Sequence, residues 1–217
     1  MLLEKDQKLL FIGDSVTDCD RAKPTGEGLF QALGNGYVSI VDAFLQSTYP
    51  ELGIRVVNKG TSGNTVRDLH ARWQEDVLDQ NPDWLSIMIG INDVWRQFDS
   101  PFIKHQHVYI EEYEETLRKI VQESKPTVNQ IVLMTPFYIE PNEEDLMREK
   151  MDQYGKVVEK IANEEDCLLI NTQAAFNKVL KNLYPAAIAW DRVHPNATGH
   201  TVLAKAFLNR IGFNWAK

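Results

Sequence analysis

Cysteine is nearly missing from this chain: Cys19 and Cys167 are the two in 217 residues. They form no zinc-binding pattern and are too few for a disulfide framework, so they read as reduced thiols. Basic charge is also short. Lys and Arg number 23 against 31 Asp and Glu, a formal net charge of −8. That balance argues against nucleic acid and anionic membranes as partners and leaves a neutral or cationic small substrate easier to accommodate. No apolar run approaches the ~20 residues of a membrane span. The opening "MLLEKDQKLLFIGDS" lacks a basic start followed by a long apolar stretch and a small-residue cleavage site. The chain is therefore expected to be soluble and cytoplasmic. Internal repeats, low-complexity tracts and Gly/Ser linkers are absent too, and the length suits one domain over 1–217.

What is present is an alternation. "KLLFIG", "IRVVNKG", "WLSIMIG", "QIVLMTP" and "CLLINT" are five short, almost continuously apolar runs. Such runs are expected of strands with both faces covered. Helical spacing fills the gaps in "TVRDLHARWQEDVLDQ", "YIEEYEETLRKIVQES", "EEDLMREKMDQYGKVVEKIANEED" and "NATGHTVLAKAFLNRI". Thr65, with Asp68 three residues on, predicts an N-cap, as does Asn196; Asn81-Pro82 predicts a stop. Alternating β and α elements imply an α/β fold: a parallel five-stranded sheet with helices on both faces. Asp20 to Gly36 and Arg96 to Val108 are the expected excursions. The charged stretch Glu140 to Arg148 reads as a solvated helix start.

Ligands in such sheets bind beyond the carboxyl ends of the strands. The first strand ends Gly13-Asp14-Ser15, the second runs into Gly60-Thr61-Ser62-Gly63-Asn64, and the third ends Gly90-Ile91-Asn92-Asp93. The loop before the last helix is "WDRVHPNATGH". Nucleophilic acyl transfer needs a hydroxyl, a base, a carboxylate to orient the base, and donors for the oxyanion. Ser15, His194 and Asp191 are candidates for the first three. Pro195 biases His194 toward extended backbone, which lets a carboxylate three residues earlier fold back onto the ring. The backbone N–H groups of Ser15 and Gly63 and the amide of Asn92 are the candidate oxyanion donors. Each motif alone is a common turn or surface pair. Together, each at a strand end, they make one constellation.

The blocks "GDSVTD", "NKGTSGNT", "GIND" and "DRVHPNATGH" resemble those of the SGNH (GDSL-type) hydrolase superfamily. The resemblance implies a flavodoxin-like α/β/α sandwich with Ser15 as nucleophile, His194 as general base and Asp191 orienting it. It also implies an oxyanion hole from Ser15, Gly63 and Asn92. "SGNTVRDL", "IMIGINDVWRQ", "LMTPFYIE", "MDQYGKVV" and "AWDRVHP" are further similar to intracellular acetylxylan esterases of that superfamily. Asn171, in "NTQAAF", departs from an expected aspartate. The implied substrate is an acetylated xylo-oligosaccharide, with no cofactor and no metal, in a homo-oligomer. Asp14, Asn64, Trp95, Tyr184 and Trp190 are the candidate substrate contacts, the tryptophans and the tyrosine as site rim or subunit interface. Asp14, Asp18 and Asp20 also read as turn, capping or loop residues.

Three rival readings remain. A broader lipase, thioesterase or lysophospholipase of the same superfamily would keep the triad. A Mg²⁺-dependent phosphohydrolase would use the aspartates after the first strand. A carbohydrate-binding module would not be catalytic. His105 and His107 have a metal-compatible spacing but read as solvent-facing loop residues. His70 and His200 read as structural or surface positions.

Overall fold

All 217 residues are described in the computed structural model. The strands β1 (Lys8–Gly13), β2 (Arg55–Asn58), β3 (Trp84–Met88), β4 (Gln130–Met134) and β5 (Leu168–Ile170) form one sheet. It is parallel throughout, in the order β2-β1-β3-β4-β5. Nine α-helices connect and cover it: α1 (Ser15–Asp18), α2 (Tyr37–Thr48), α3 (Val66–Ala71), α4 (Trp73–Asp76), α5 (Ile91–Asp99), α6 (Ile110–Ser124), α7 (Leu146–Glu164), α8 (Thr172–Leu180) and α9 (Ala197–Arg210).

The apolar strands divide their side chains between two cores, because successive residues of a strand face opposite ways. In β1, Leu9 and Phe11 join the core covered by α2, α8 and α9. Leu10 and Ile12 join the core covered by α3, α5, α6 and α7. Each core is a 27-residue cluster, so neither face of the sheet is left to solvent. This is why the strands read as continuous runs instead of alternating ones. Phe11 packs edge-on against Tyr37 and at a 4.8 Å centroid separation against Phe207, which ties β1 to α2 and α9.

The strand order places the topological switch point between β1 and β3. From β1 the chain crosses one way to β2, then returns past β1 to β3. The loops leaving β1 and β3 diverge and open a crevice at the carboxyl edge.

The predicted caps are present. Thr65 and Asp68 form a reciprocal capping box, and Asn196 accepts from the amides of Thr198 and Gly199. Asn171, the departure from the family pattern, caps α8 by accepting from Ala174 N. Other expectations are corrected. The helix expected over 65–80 breaks at Arg72, whose side chain turns inward to bond Asn64, the carbonyl of Lys59 and Asp76. Helices α2, α5 and α8 were not legible. Intrinsic propensity is a weak prior, and α2 is held by burying Tyr37, Val38, Val41 and Leu45. His107 is buried, its Nε2 bonded to the carbonyl of Ser100 at 3.0 Å; His105 is exposed as expected. The Glu140–Arg148 stretch is not a solvated helix start, since both end residues are buried in a network described below. No helix is long and apolar enough to cross a membrane.

Candidate active site

Ser15 is the first residue of α1, directly beyond β1. The turn that presents it is set by its neighbours. A Cβ on Gly13 would lie 2.3 Å from the carbonyl oxygen of Met88 on β3, so only glycine lets the two strands approach here. Asp14 is extended, and its carboxylate accepts from Val16 N at 3.0 Å as the N-cap of α1. The Ser15 amide, at the open start of that helix, has no acceptor within the protein.

The base arrives from the opposite side. The Ser15 hydroxyl lies 2.9 Å from His194 Nε2, and Asp191 Oδ2 lies 2.6 Å from His194 Nδ1. The other Asp191 oxygen accepts from the backbone amides of His194 and Val193 at 2.8 and 2.9 Å. Burial alone would raise the Asp191 pKa, but these hydrogen bonds outweigh it and hold the carboxyl below its ordinary range. Asp191 thus stays ionised and fixes the His194 tautomer that leaves Nε2 free to take the serine proton.

This loop is anchored from outside the motif. Arg192 sits at φ 63, in the left-handed region, which folds Asp191 back toward His194. Its carbonyl accepts from Ile139 N at 2.9 Å, and its guanidinium pairs with Glu140 at 2.5 Å. Arg148 in turn bonds the Glu140 carbonyl and Asp152. Glu140, Arg148 and Arg192 are functional supports that the sequence reading missed. Their one sequence signal is charge in a segment that directly follows a strand end.

The β2 and β3 loops complete the crevice. Gly63 is at φ +84, with open space where a Cβ would stand. Its turn is braced by Asp18, which accepts from both the amide and the hydroxyl of Ser62. Burial opposes ionisation of Asp18, but Lys23 and Ser62 prevail and keep its pKa low. Asn92 is 2 % exposed, lines the crevice, and donates one side-chain N–H to the carbonyl of Asn64 at 2.9 Å. The neighbouring Asp93 is fully buried. One oxygen accepts from Val66 N at 3.0 Å and the other has no partner. Burial raises Asp93 to about 8 and Asp14 to about 7. Burial thus favours the protonated form of Asp93, the carboxyl with one oxygen left unpartnered.

The crevice encloses about 420 Å³ and includes Ser15, Gly63, Asn92, Trp95 and His194 in its wall. Trp95 meets the His194 ring edge-on at 5.8 Å. The other four candidate contacts lie elsewhere. Asp14 is buried as a cap. The Asn64 side chain is occupied by Arg72 at 2.7 Å. Tyr184 and Trp190 are 75 % and 90 % exposed and lie outside the crevice wall.

Cys19 also borders the crevice, but burial and the nearby Asp18, Asp20 and Asp14 push its thiol up to about 12. It remains S–H and is no competing nucleophile. His200 beside it is pushed down to about 4, by burial and then by His194. That neutral ring accepts from Tyr37 N and contacts Cys19 Sγ at 3.3 Å, a structural role. The aspartates of the magnesium reading do not converge. Asp14 caps a helix, Asp18 holds Ser62 and Lys23, and no group of three His, Cys, Asp or Glu is placed to hold an ion.

A serine, a histidine and an aspartate linked in this order at the switch point of a parallel sheet define an α/β serine hydrolase. The profile of the GDSL-like lipase/acylhydrolase family matches residues 11–202, and the chain belongs to that family. It is 67% identical over 217 residues to the acetylxylan esterase of Geobacillus stearothermophilus, covering 100% of this chain and 99% of that one. The structure of that enzyme, Axe2, superposes with a TM-score of 0.98 over 99% of this chain and 98% of its own. Solved catalytic mutants of Axe2 include S15A, D191A and H194A, and this chain has the same three residues at those numbers. LAE5, an α/β hydrolase from the metagenome of Lake Arreo, is 51% identical, with a TM-score of 0.97 over 98% of each chain.

Proposed function

We propose that this protein is a serine esterase that removes acetyl groups from acetylated xylo-oligosaccharides. The observation that carries the reading is the Ser15–His194–Asp191 chain of hydrogen bonds, within a sequence 67% identical end to end to an acetylxylan esterase.

Ser15 Oγ attacks the acetyl carbonyl as His194 Nε2 takes its proton. The carbonyl oxygen becomes an oxyanion, received by the amides of Ser15 and Gly63 and by the Asn92 N–H not engaged by Asn64. The tetrahedral intermediate then collapses, breaking the bond to the sugar oxygen, which His194 protonates to the free hydroxyl, leaving acetyl-Ser15. Water, deprotonated by His194, attacks the acyl-enzyme and releases acetate. Asp191 stabilises the imidazolium in both halves. Trp95 forms one wall for the sugar or acetyl group.

The broader lipase reading needs room for a long acyl chain, where each buried methylene would add about 0.8 kcal/mol of binding. Trp95 and Cys19 are the apolar side chains of the crevice wall, a short apolar surface for an octanoyl chain. Efficiency on p-nitrophenyl esters should therefore fall steeply from acetyl to octanoyl, while NMR shows rapid deacetylation of acetylated xylobiose. Efficiency that rises with acyl length would replace this reading with the lipase one.

A homo-oligomer fits the exposed apolar side chains, and the cytoplasm remains the proposed location. Phe30, Phe102, Trp190, Leu29 and Tyr184 are all at least 75 % exposed, apolar side chains that a subunit interface would cover. A monomeric mass by sedimentation at micromolar concentration would remove that part.

A further inference from the structure

A second hollow of about 450 Å³ opens beside the catalytic crevice. The two share Gly63 and Arg96 in their walls, so they are adjacent. The catalytic chemistry uses only the first. The remaining wall of the second is Thr65, Arg67, Asp68, His105 and Gln106, with no apolar side chain among them.

Its parts are already held in place. The Arg67 guanidinium bonds both oxygens of Glu112, at 2.7 and 2.8 Å, and donates to the carbonyls of His105 and His107 at 3.2 Å. The loop carrying His105 and Gln106 is thus fastened to α3 and α6. Thr65 and one Asp68 oxygen are engaged in the capping box, and Arg96 pairs with Asp99 while lying over the Trp95 ring. The side chains of His105 and Gln106 have no protein partner, and both are exposed to the hollow.

That inventory selects a class of ligand. Both arginines are paired with carboxylates, so no cation is left uncompensated for a phosphate or a uronate. The absence of apolar lining disfavours an acyl chain. What remains is a fixed set of donors and acceptors, which suits a neutral polyol whose hydroxyls both donate and accept. Gly63, whose amide faces the acetyl group in the proposed reaction, is the shared wall. A sugar leaving group held at Ser15 therefore has its continuation next to this hollow.

We infer that the hollow between Gly63, Arg67 and Gln106 is a sugar subsite that binds the xylose unit adjoining the acetylated one. The inference rests on the acetyl-xylo-oligosaccharide reading. His105 and Gln106 are its specificity-determining contacts, and Arg67 is a positioning residue that holds their loop.

The test compares kcat/KM on acetylated methyl xyloside, one sugar, with that on acetylated xylobiose, two sugars. The native protein should favour the disaccharide by about ten-fold or more, as expected of two side-chain hydrogen bonds. The double variant His105→Ala, Gln106→Ala should bring the ratio close to one by lowering kcat/KM on the disaccharide. In Ser15→Ala protein, saturation-transfer NMR with xylobiose should show contact to both rings, and the double variant should lose it for one ring. A native ratio near one, or a ratio that survives the double variant, overturns the subsite and leaves the esterase reading standing. A gain seen only when the second xylose carries a uronic acid overturns the neutral-sugar assignment. Hydrolysis of p-nitrophenyl acetate with no turnover of either acetylated sugar instead defeats the substrate reading itself.

Discussion

The two halves of the active site are built in opposite ways. The nucleophile half is dense. Ser15 rests on Gly13, which touches the next strand, and on the buried Asp14, while Asn92 and Asp93 pin the segment after Gly63 through Asn64 and Val66. The base half is open. The side chains of His194 and Asp191 are 44% and 37% exposed, on a loop held by one left-handed residue, one ion pair and the Ile139–Arg192 backbone hydrogen bond. The difference teaches where each kind of precision comes from. The serine and the proposed oxyanion donors gain theirs from packing, which resists sub-ångström shifts. The base gains its position from hydrogen bonds, which can be cut singly without collapsing a core.

The comparison is tested most strongly at the triad. Ser15→Ala should lower kcat by roughly 10⁵–10⁶-fold, and Asp191→Asn by about 10⁴-fold through the wrong imidazole tautomer. Steady-state assays with Tm measured in parallel should show both variants folded. A normal rate for Asp191→Asn would mean that another carboxylate orients His194.

Next is Asn92→Ala. Loss of one oxyanion donor should reduce kcat by about 10²–10³-fold with little change in KM. An effect confined to KM would move Asn92 from the transition state to ground-state binding.

Glu140→Ala sharpens the contrast directly. Glu140 touches neither Ser15 nor the crevice wall, yet it anchors Arg192. Cutting that anchor should lower kcat by about ten-fold, since misplacing a catalytic group by an ångström can cost 10²-fold. Unchanged kcat would show that the Ile139–Arg192 backbone bond holds the loop alone.

The last effect is on stability and not on rate, and concerns Asp93. Its pKa is raised by burial from 3.8 to about 8. A raised folded pKa means that its contribution to stability is intact below 3.8 and is lost as pH climbs toward 8. Asp93→Asn carries no charge and escapes that loss. The Tm difference between variant and native protein should therefore shift in the variant's favour by about 10 °C or more from pH 4 to pH 9, at about 2–4 °C per kcal/mol. Parallel Tm curves across that range would contradict a neutral Asp93.

The frame of this comparison was legible early. Five apolar runs read as strands buried on both faces, and the motifs at strand ends and in the last loop single out Ser15, Gly63, Asn92, Asp191 and His194. Short-range signals served there, because a cap, a turn or an Asp-x-x-His loop is decided within a few residues. Helix α2 was not legible, since its stability comes from packing Tyr37, Val38, Val41 and Leu45 against distant elements.

By itself, then, the sequence determined which chemistry the chain carries: a hydroxyl, an imidazole and a carboxylate, each placed at a strand end or in the last loop by local patterns. Tertiary structure alone decided which supports surround them. Arg72 breaks a helix to reach Asn64, Glu140 holds Arg192 across a 52-residue separation, and Asp14 and Asn64 turn away from the crevice to cap and brace. Those outcomes depend on partners brought together by burial of the two cores, and no local pattern encodes a contact whose other half lies on a different element.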